Sequence, residues 1–168
     1  MREILKSGFT LLIICLISSG LVSFVYGLTK ERISKQIKSQ EEKVLKMILV
    51  DAARVEEKTA GNLTYYIGYD MNDRELGRAF IVKTRGYGGD ITICAGLDKK
   101  GNITSVKILS HTETPGLGSK IADANFLDKF NNRKAQDLGA YDAITGATIS
   151  STAVINAVKA RAEELLKE

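Results

Sequence analysis

The chain has 168 residues, enough for one domain and an anchoring segment. Its 24 Lys and Arg against 20 Asp and Glu leave a formal charge of +4. That charge is spread along the sequence rather than gathered into a patch, and a single histidine with no CxxC gives no metal-ligand spacing, so nucleic acid and structural metal are both poor fits.

Residues 1–7 form a short tail. Gly8–Leu28 contains no charged residue and is long enough to cross a bilayer as one helix, which takes about 20 residues. A cleaved signal peptide is the competing reading. Against it, the apolar run is longer than a typical h-region and no small-x-small site follows. Ile14, directly before Cys15, stands where a lipoprotein box has a small residue. A helix buried in a soluble core is the remaining alternative. Arg2 and Lys6 precede the span and Lys30, Arg32, Lys35 and Lys38 follow it, so the positive-inside rule weakly favours a cytoplasmic domain. Cys15 in the span and Cys94 in the domain are not placed to pair, and each reads as a small apolar filler.

Residues 29–60 read as a helical stalk that also packs on the domain. Its helix is expected over Thr29–Ala53, with Ile33, Ile37, Val44, Leu45, Ile48 and Leu49 on one face. The domain proper is assigned to residues 61–168. From Asn62 the pattern turns to strands, at Thr64–Tyr69, Arg78–Thr84, Asp90–Leu97 and Ile103–Leu109, the last two joined by a hairpin turn at Asp98–Asn102. Lys120–Phe130 carries Ile121, Ala124, Leu127 and Phe130 at helical spacing. Strands followed by helices predict an α+β fold, an antiparallel sheet flanked by helices.

Two loops stand out. In Arg85–Asp90, Tyr87 is set among Gly86, Gly88 and Gly89, which allow positive φ and close backbone approach; a plain glycine turn between strands is the simpler reading. In His111–Lys120 the pair Pro115-Gly116 forces a turn and Gly118 permits a second close approach. His111 and Glu113 read as ordinary loop residues.

The stretch Tyr141–Thr152 precedes a C-terminal helix whose apolar face is Val154, Ile155, Val158, Ala162, Leu165 and Leu166. Thr148 is expected in a tight turn just ahead of that helix, with Ser150, Ser151 or Thr152 as N-cap. Gly146 and Ala147 leave its hydroxyl accessible, and the helix N-terminus favours an anion beside it. On local chemistry alone, a helix start rich in capping hydroxyls explains the same residues.

Asp142-Ala-Ile-Thr145-Gly146-Ala147-Thr148 resembles the acceptor motif at which a flavin transferase joins FMN to a threonine through a phosphoester. Thr145 stands where Ser is frequent, and Ser150 where a second Thr is frequent; neither departure removes the acceptor hydroxyl. With the Gly-Tyr-Gly-Gly loop and the HTETPGLG loop preceding it in order, behind one span, the whole chain resembles the G subunit of the Rnf electron-transport complex. A relative of that protein is the C subunit of the Na+-translocating NADH:quinone oxidoreductase. The resemblance implies an FMN-binding domain with covalent FMN on Thr148. It implies cofactor contacts from Asp142, Thr145, Gly146, Ala147, Ser150 and Ser151, from Tyr87, Gly88 and Gly89, and from Glu113, Thr114, Gly116, Leu117, Gly118 and Lys120. Backbone amides and Thr114 would meet the polar edge of the flavin, and Leu117 would give it an apolar contact. It further implies a single-pass membrane protein with the FMN domain outside the cytoplasm, against the weak charge balance. The partners implied are the other members of the complex and a flavin transferase. The role implied is electron relay in an ion-translocating ferredoxin:NAD+ oxidoreductase, rather than that of a free-standing enzyme. The alternatives are the sodium-pump C subunit, a free membrane-tethered flavoprotein, and a non-redox anchored binding or assembly module.

Overall fold

A computed structural model describes residues 2–61, 63–139 and 142–167; Asn62 and Tyr141, which open two of the stretches read above, lie outside them. The chain divides into two compact units, Met1–Gln40 and Glu41–Glu168.

The first unit is helical, within α1 (Arg2–Ile48). Its large apolar side chains, among them Leu16, Leu21, Val22 and Phe24, are exposed. Thr10, Ser19 and Thr29 return their hydroxyls to the carbonyls of Lys6, Leu16 and Val25 at 3.0, 3.1 and 2.7 Å. Those polar groups are therefore satisfied within the helix, as a hydrocarbon environment requires.

In the second unit, six strands form an antiparallel sheet in chain order. They are β1 (Arg54–Ala60), β2 (Leu63–Tyr69), β3 (Glu75–Arg85), β4 (Asp90–Asp98), β5 (Asn102–His111) and β6 (Arg133–Lys134). Side chains alternate across a sheet, and both faces here are covered. Phe80, Ile91, Ile93, Ala95 and Leu97 pack with Val154, Ile155, Val158 and Leu165 of α3 (Thr148–Leu165). On the other face Ala79 and Cys94 pack with Leu45, Ile48 and Leu49 at the end of α1. Leu166, expected on the apolar face of α3, is 46% exposed just beyond its end.

The structure departs from the sequence reading at β6, a two-residue strand not among those expected, and in three larger elements. Helix α1 stops at Ile48 rather than Ala53, and Asp51 sits in left-handed backbone at φ 68°, a conformation short polar residues tolerate. Residues 54–60, assigned to the helical stalk, are strand β1, paired from Arg54↔Tyr69 to Ala60↔Leu63. Their polar composition hides the strand because β1 is a sheet edge with mostly exposed side chains. The helix expected over Lys120–Phe130 is broken into a 3-10 turn (Gly118–Ala122), α2 (Ala124–Leu127) and a second 3-10 turn (Asp128–Phe130). Asp123, extended at φ −72°, ψ 142°, interrupts it. The hairpin turn at Asp98–Asn102 forms as read: the Asp98 carboxylate accepts the N–H groups of Lys100 and Asn102, each at 2.8 Å.

The turn ahead of α3 is pinned by a charge. Asp142 is 6% exposed. Its Oδ1 accepts from Arg133 Nη1 at 2.9 Å and its Oδ2 from the Gly139 N–H at 3.1 Å. Lys129 Nζ donates to the Asp142 carbonyl at 3.1 Å.

Two measurements test this packing. Burial first, then the Glu41 carboxylate, push the Cys94 thiol up to about 12, and only a thiolate reacts quickly. In a Cys15→Ser background the folded chain should therefore resist a disulfide thiol reagent until denaturant is added. Ile48→Asp, which opens that face, should make Cys94 reactive without denaturant. Removing Arg133 strands a buried carboxylate, so Arg133→Met should cost about 3–5 kcal/mol in denaturant titration. Arg161→Met, which breaks the exposed pair with Glu164, should cost about 0–1 kcal/mol.

Candidate functional site

Three segments meet at the start of α3: the glycine loop after β3, the loop after β5, and the turn from Asp142 into the helix. The last of these sets the position of Thr148. Ala147 donates its N–H to the Ile144 carbonyl at 2.9 Å and Gly146 takes φ +83°, a left-handed turn that glycine adopts without strain. The helix therefore begins earlier than expected. Thr148 is its first residue rather than a residue ahead of it, and Ala147 occupies the N-cap position with no side-chain cap. The N–H groups of Thr148, Ile149 and Ser150, in the first turn, have no intrahelical acceptors.

Neither Ser150 nor Ser151 caps the helix, because both hydroxyls turn inward. Ser151 Oγ accepts the Ile144 N–H at 3.0 Å and donates to the Ala147 carbonyl at 2.8 Å. Ser150 Oγ donates to Glu113 Oε2 at 2.7 Å. Thr148 by contrast is exposed, and its hydroxyl makes only a 3.5 Å contact to the Ile144 carbonyl.

Glu113 links all three segments. It is 5% exposed, and the Gly88 N–H donates to both its carboxylate oxygens at 3.2 Å. A Cβ on Gly86 would fall 2.0 Å from Glu113 Oε1, and one on Gly118 2.5 Å from Oε2. The glycines on either side thus make room for this carboxylate.

The segments enclose an open cleft of about 410 Å³, lined by Tyr87, Glu113, Thr114, Leu117, Gly118, Gly146, Ala147, Thr148, Ile149 and Ser150. This volume lies within the range of small-molecule sites. Tyr87, Leu117 and Ile149 are 74%, 52% and 60% exposed, which leaves apolar surface for a flat ligand. Ile149 is the residue that sequence reasoning missed. Its signal was an apolar side chain off the buried face of α3.

The other residues singled out in the sequence lie elsewhere. Gly88 and Gly89 pack behind the cleft against Thr112, whose hydroxyl donates to the Gly88 carbonyl at 3.4 Å. The Gly116 N–H donates to Ser119 Oγ at 2.9 Å. Ser151 and Asp142 are buried and internally bonded. Thr145 and Lys120 line a separate cleft of about 470 Å³ with Asp123, Asn125, Phe126, Lys129, Ala143 and Ile144. Thr145 and Thr148, three residues apart, therefore open onto different clefts. Among the described residues no cluster of His, Cys, Asp and Glu is arranged to hold a metal.

Comparison with known proteins gives these features a context. Residues 86–163 match the FMN-binding domain family, and residues 1–48 match the RnfG N-terminal region. The chain is 34% identical to the G subunit of the ion-translocating oxidoreductase complex of Shewanella piezotolerans, over 94% of this chain and 87% of that one. It is 31% identical to the protein of the same name from Methanosarcina acetivorans, over 94% and 92%. In structure it resembles the C subunit of the Na(+)-translocating NADH-quinone reductase of Parabacteroides distasonis, with TM-score 0.58, 14% identity, and coverage of 81% and 96%. It also resembles Shewanella oneidensis NqrC, with TM-score 0.51, 16% identity, and coverage of 70% and 73%. At those identities the likeness to these two structures is one of fold. The chain belongs to the family of G subunits of ion-translocating oxidoreductase complexes, and its domain has the FMN-binding fold.

Proposed function

We propose that Thr148 carries FMN as a phosphoester and that the chain relays electrons through it within an Rnf-type ferredoxin:NAD+ oxidoreductase. As a member of its family, the chain is an FMN-containing electron-transfer component of an ion-translocating oxidoreductase complex, associated with the membrane through its apolar helix. FMN supplies the redox chemistry, taking electrons singly or in pairs; the protein supplies placement and electrostatics.

The observation that carries the attachment site is the position of Thr148. Its exposed hydroxyl lines the cleft, at a helix terminus that no side chain caps. The phosphodiester keeps a negative charge, and the first-turn N–H groups and the helix dipole favour it there. A bond through the phosphate fixes one end of FMN only. Thr114 and the backbone of the Thr114–Gly118 loop would bond the polar edge of the ring, and Tyr87, Leu117 and Ile149 would cover its apolar surface. Other members of the complex receive and deliver the electrons, and a flavin transferase installs the cofactor. On this reading the domain after Leu28 lies outside the cytoplasm.

Covalent attachment is read from flavin fluorescence of the denatured band on a gel, with the mass of the modified peptide as a second measure. Thr148→Val should abolish both signals in chain co-expressed with a flavin transferase. Thr145→Val should retain them, because its hydroxyl opens onto the other cleft. Fluorescence retained in the Thr148 variant would exclude that residue as acceptor. Topology is read from a cysteine introduced at exposed Lys99 in a chain without Cys15 and Cys94. An impermeant thiol reagent should label it in intact cells; labelling only after lysis would put the domain in the cytoplasm.

A further inference from the structure

Glu113 is buried in the wall of the cleft, and no cation pairs with it in any ion pair found among the described residues. The Gly88 N–H can only donate, and it reaches both carboxylate oxygens. Ser150 brings a hydroxyl to Oε2 at 2.7 Å. In each of these bonds the carboxylate is the acceptor. His111 does not compensate the charge. Its Nδ1 takes the Glu113 backbone N–H at 3.3 Å rather than the carboxylate. Compensation comes instead from the Gly88 and Ser150 dipoles and from the positive end of α3, to which Ser150 belongs. A neutral Gln would fill the same space without the desolvation cost of a buried charge.

We propose that Glu113 is a positioning residue whose buried charge also sets how readily the cleft accepts an electron. Through Ser150 it fixes the first turn of α3, and by like-charge repulsion it disfavours added negative charge in the cleft it lines. The inference rests on the reading that FMN occupies this cleft. Its consequence is a bound flavin held at a lower reduction potential than the same fold with a neutral side chain at position 113.

The test uses full-length chain co-expressed with a flavin transferase and purified in detergent. The midpoint potential is titrated spectroscopically, with circular dichroism as the folding control. Glu113→Gln should raise the potential by at least tenfold in the one-electron equilibrium constant, about 59 mV. Ser150→Ala removes a donor and leaves the charge less compensated, so it should lower the potential. A purely structural role predicts no opposed pair of shifts. Wild-type potential in folded Glu113→Gln, or shifts of the same sign in both variants, would overturn the proposal. If Glu113→Gln does not fold, Ser150→Ala decides alone: a lower potential supports the proposal, and an unchanged or higher one refutes it. A wild-type chain with no covalent fluorescence counts against attachment at Thr148, not against Glu113. The titration is then run with FMN added to the folded chains, and the same signs decide.

Discussion

A carboxylate taken out of water must be met by donors, and at Glu113 those donors come from two other segments of the domain. Gly88 supplies an N–H from the glycine loop and Ser150 a hydroxyl from α3, while Gly86 and Gly118 leave the volume the side chain fills. Burying the group without them costs several kcal/mol. The cleft therefore exists only when all three segments are in place together. A Cβ at Gly118 would lie 2.5 Å from Glu113 Oε2 and 2.9 Å from its Cβ, so a side chain there strikes the carboxylate before it reaches anything bound in the cleft.

The sheet serves as a rigid frame for this arrangement. It is covered on one face by α3 and on the other by the end of α1. Apolar groups fill both sides of β4, where Ile91, Ile93, Ala95 and Leu97 face one way and Cys94 the other. Such a strand cannot slip by one residue without exchanging its two faces. The loops after β3 and β5 thus leave the sheet at fixed positions. The first turn of α3 is held from the other side as well, by the Arg133–Asp142 pair and the Gly146 turn.

How much of this was legible in the sequence depended on how locally each feature is encoded. The central strands and the Asp98–Asn102 turn carry their own periodicity or turn residues, and they form where that pattern puts them; the C-terminal helix forms too, but starts earlier than its capping hydroxyls suggested. Strand β1 was not legible, because an edge strand rich in Glu and Lys has little apolar alternation to show. The break at Asp123 was not legible either, since Ile121, Ala124, Leu127 and Phe130 keep helical spacing through an extended residue. At the site, the exposure of the Thr148 hydroxyl could be read from its small neighbours and that of Leu117 from its loop, while the acceptor role expected of Thr148 came from the resemblance alone. The inward turn of Ser150 could not be read, because its partner Glu113 lies 37 residues away. Asp142 posed the same problem: its partner is a lone Arg133 that no local pattern marks.

The edges of the sheet bear on how this domain meets other proteins. One edge is β1, whose exposed side chains include Glu56, Glu57 and Lys58; on the other side β6 pairs only with Asn102 and Ile103 of β5. Charged or very short edge strands are poor templates for an added strand. Along β1 a neighbouring chain therefore finds no inviting row of main-chain donors and acceptors on which to zip, and contact at that edge falls to side chains. Such contacts can be made and released without threading or unpairing backbone, and they leave the frame that holds Glu113 and Thr148 undisturbed.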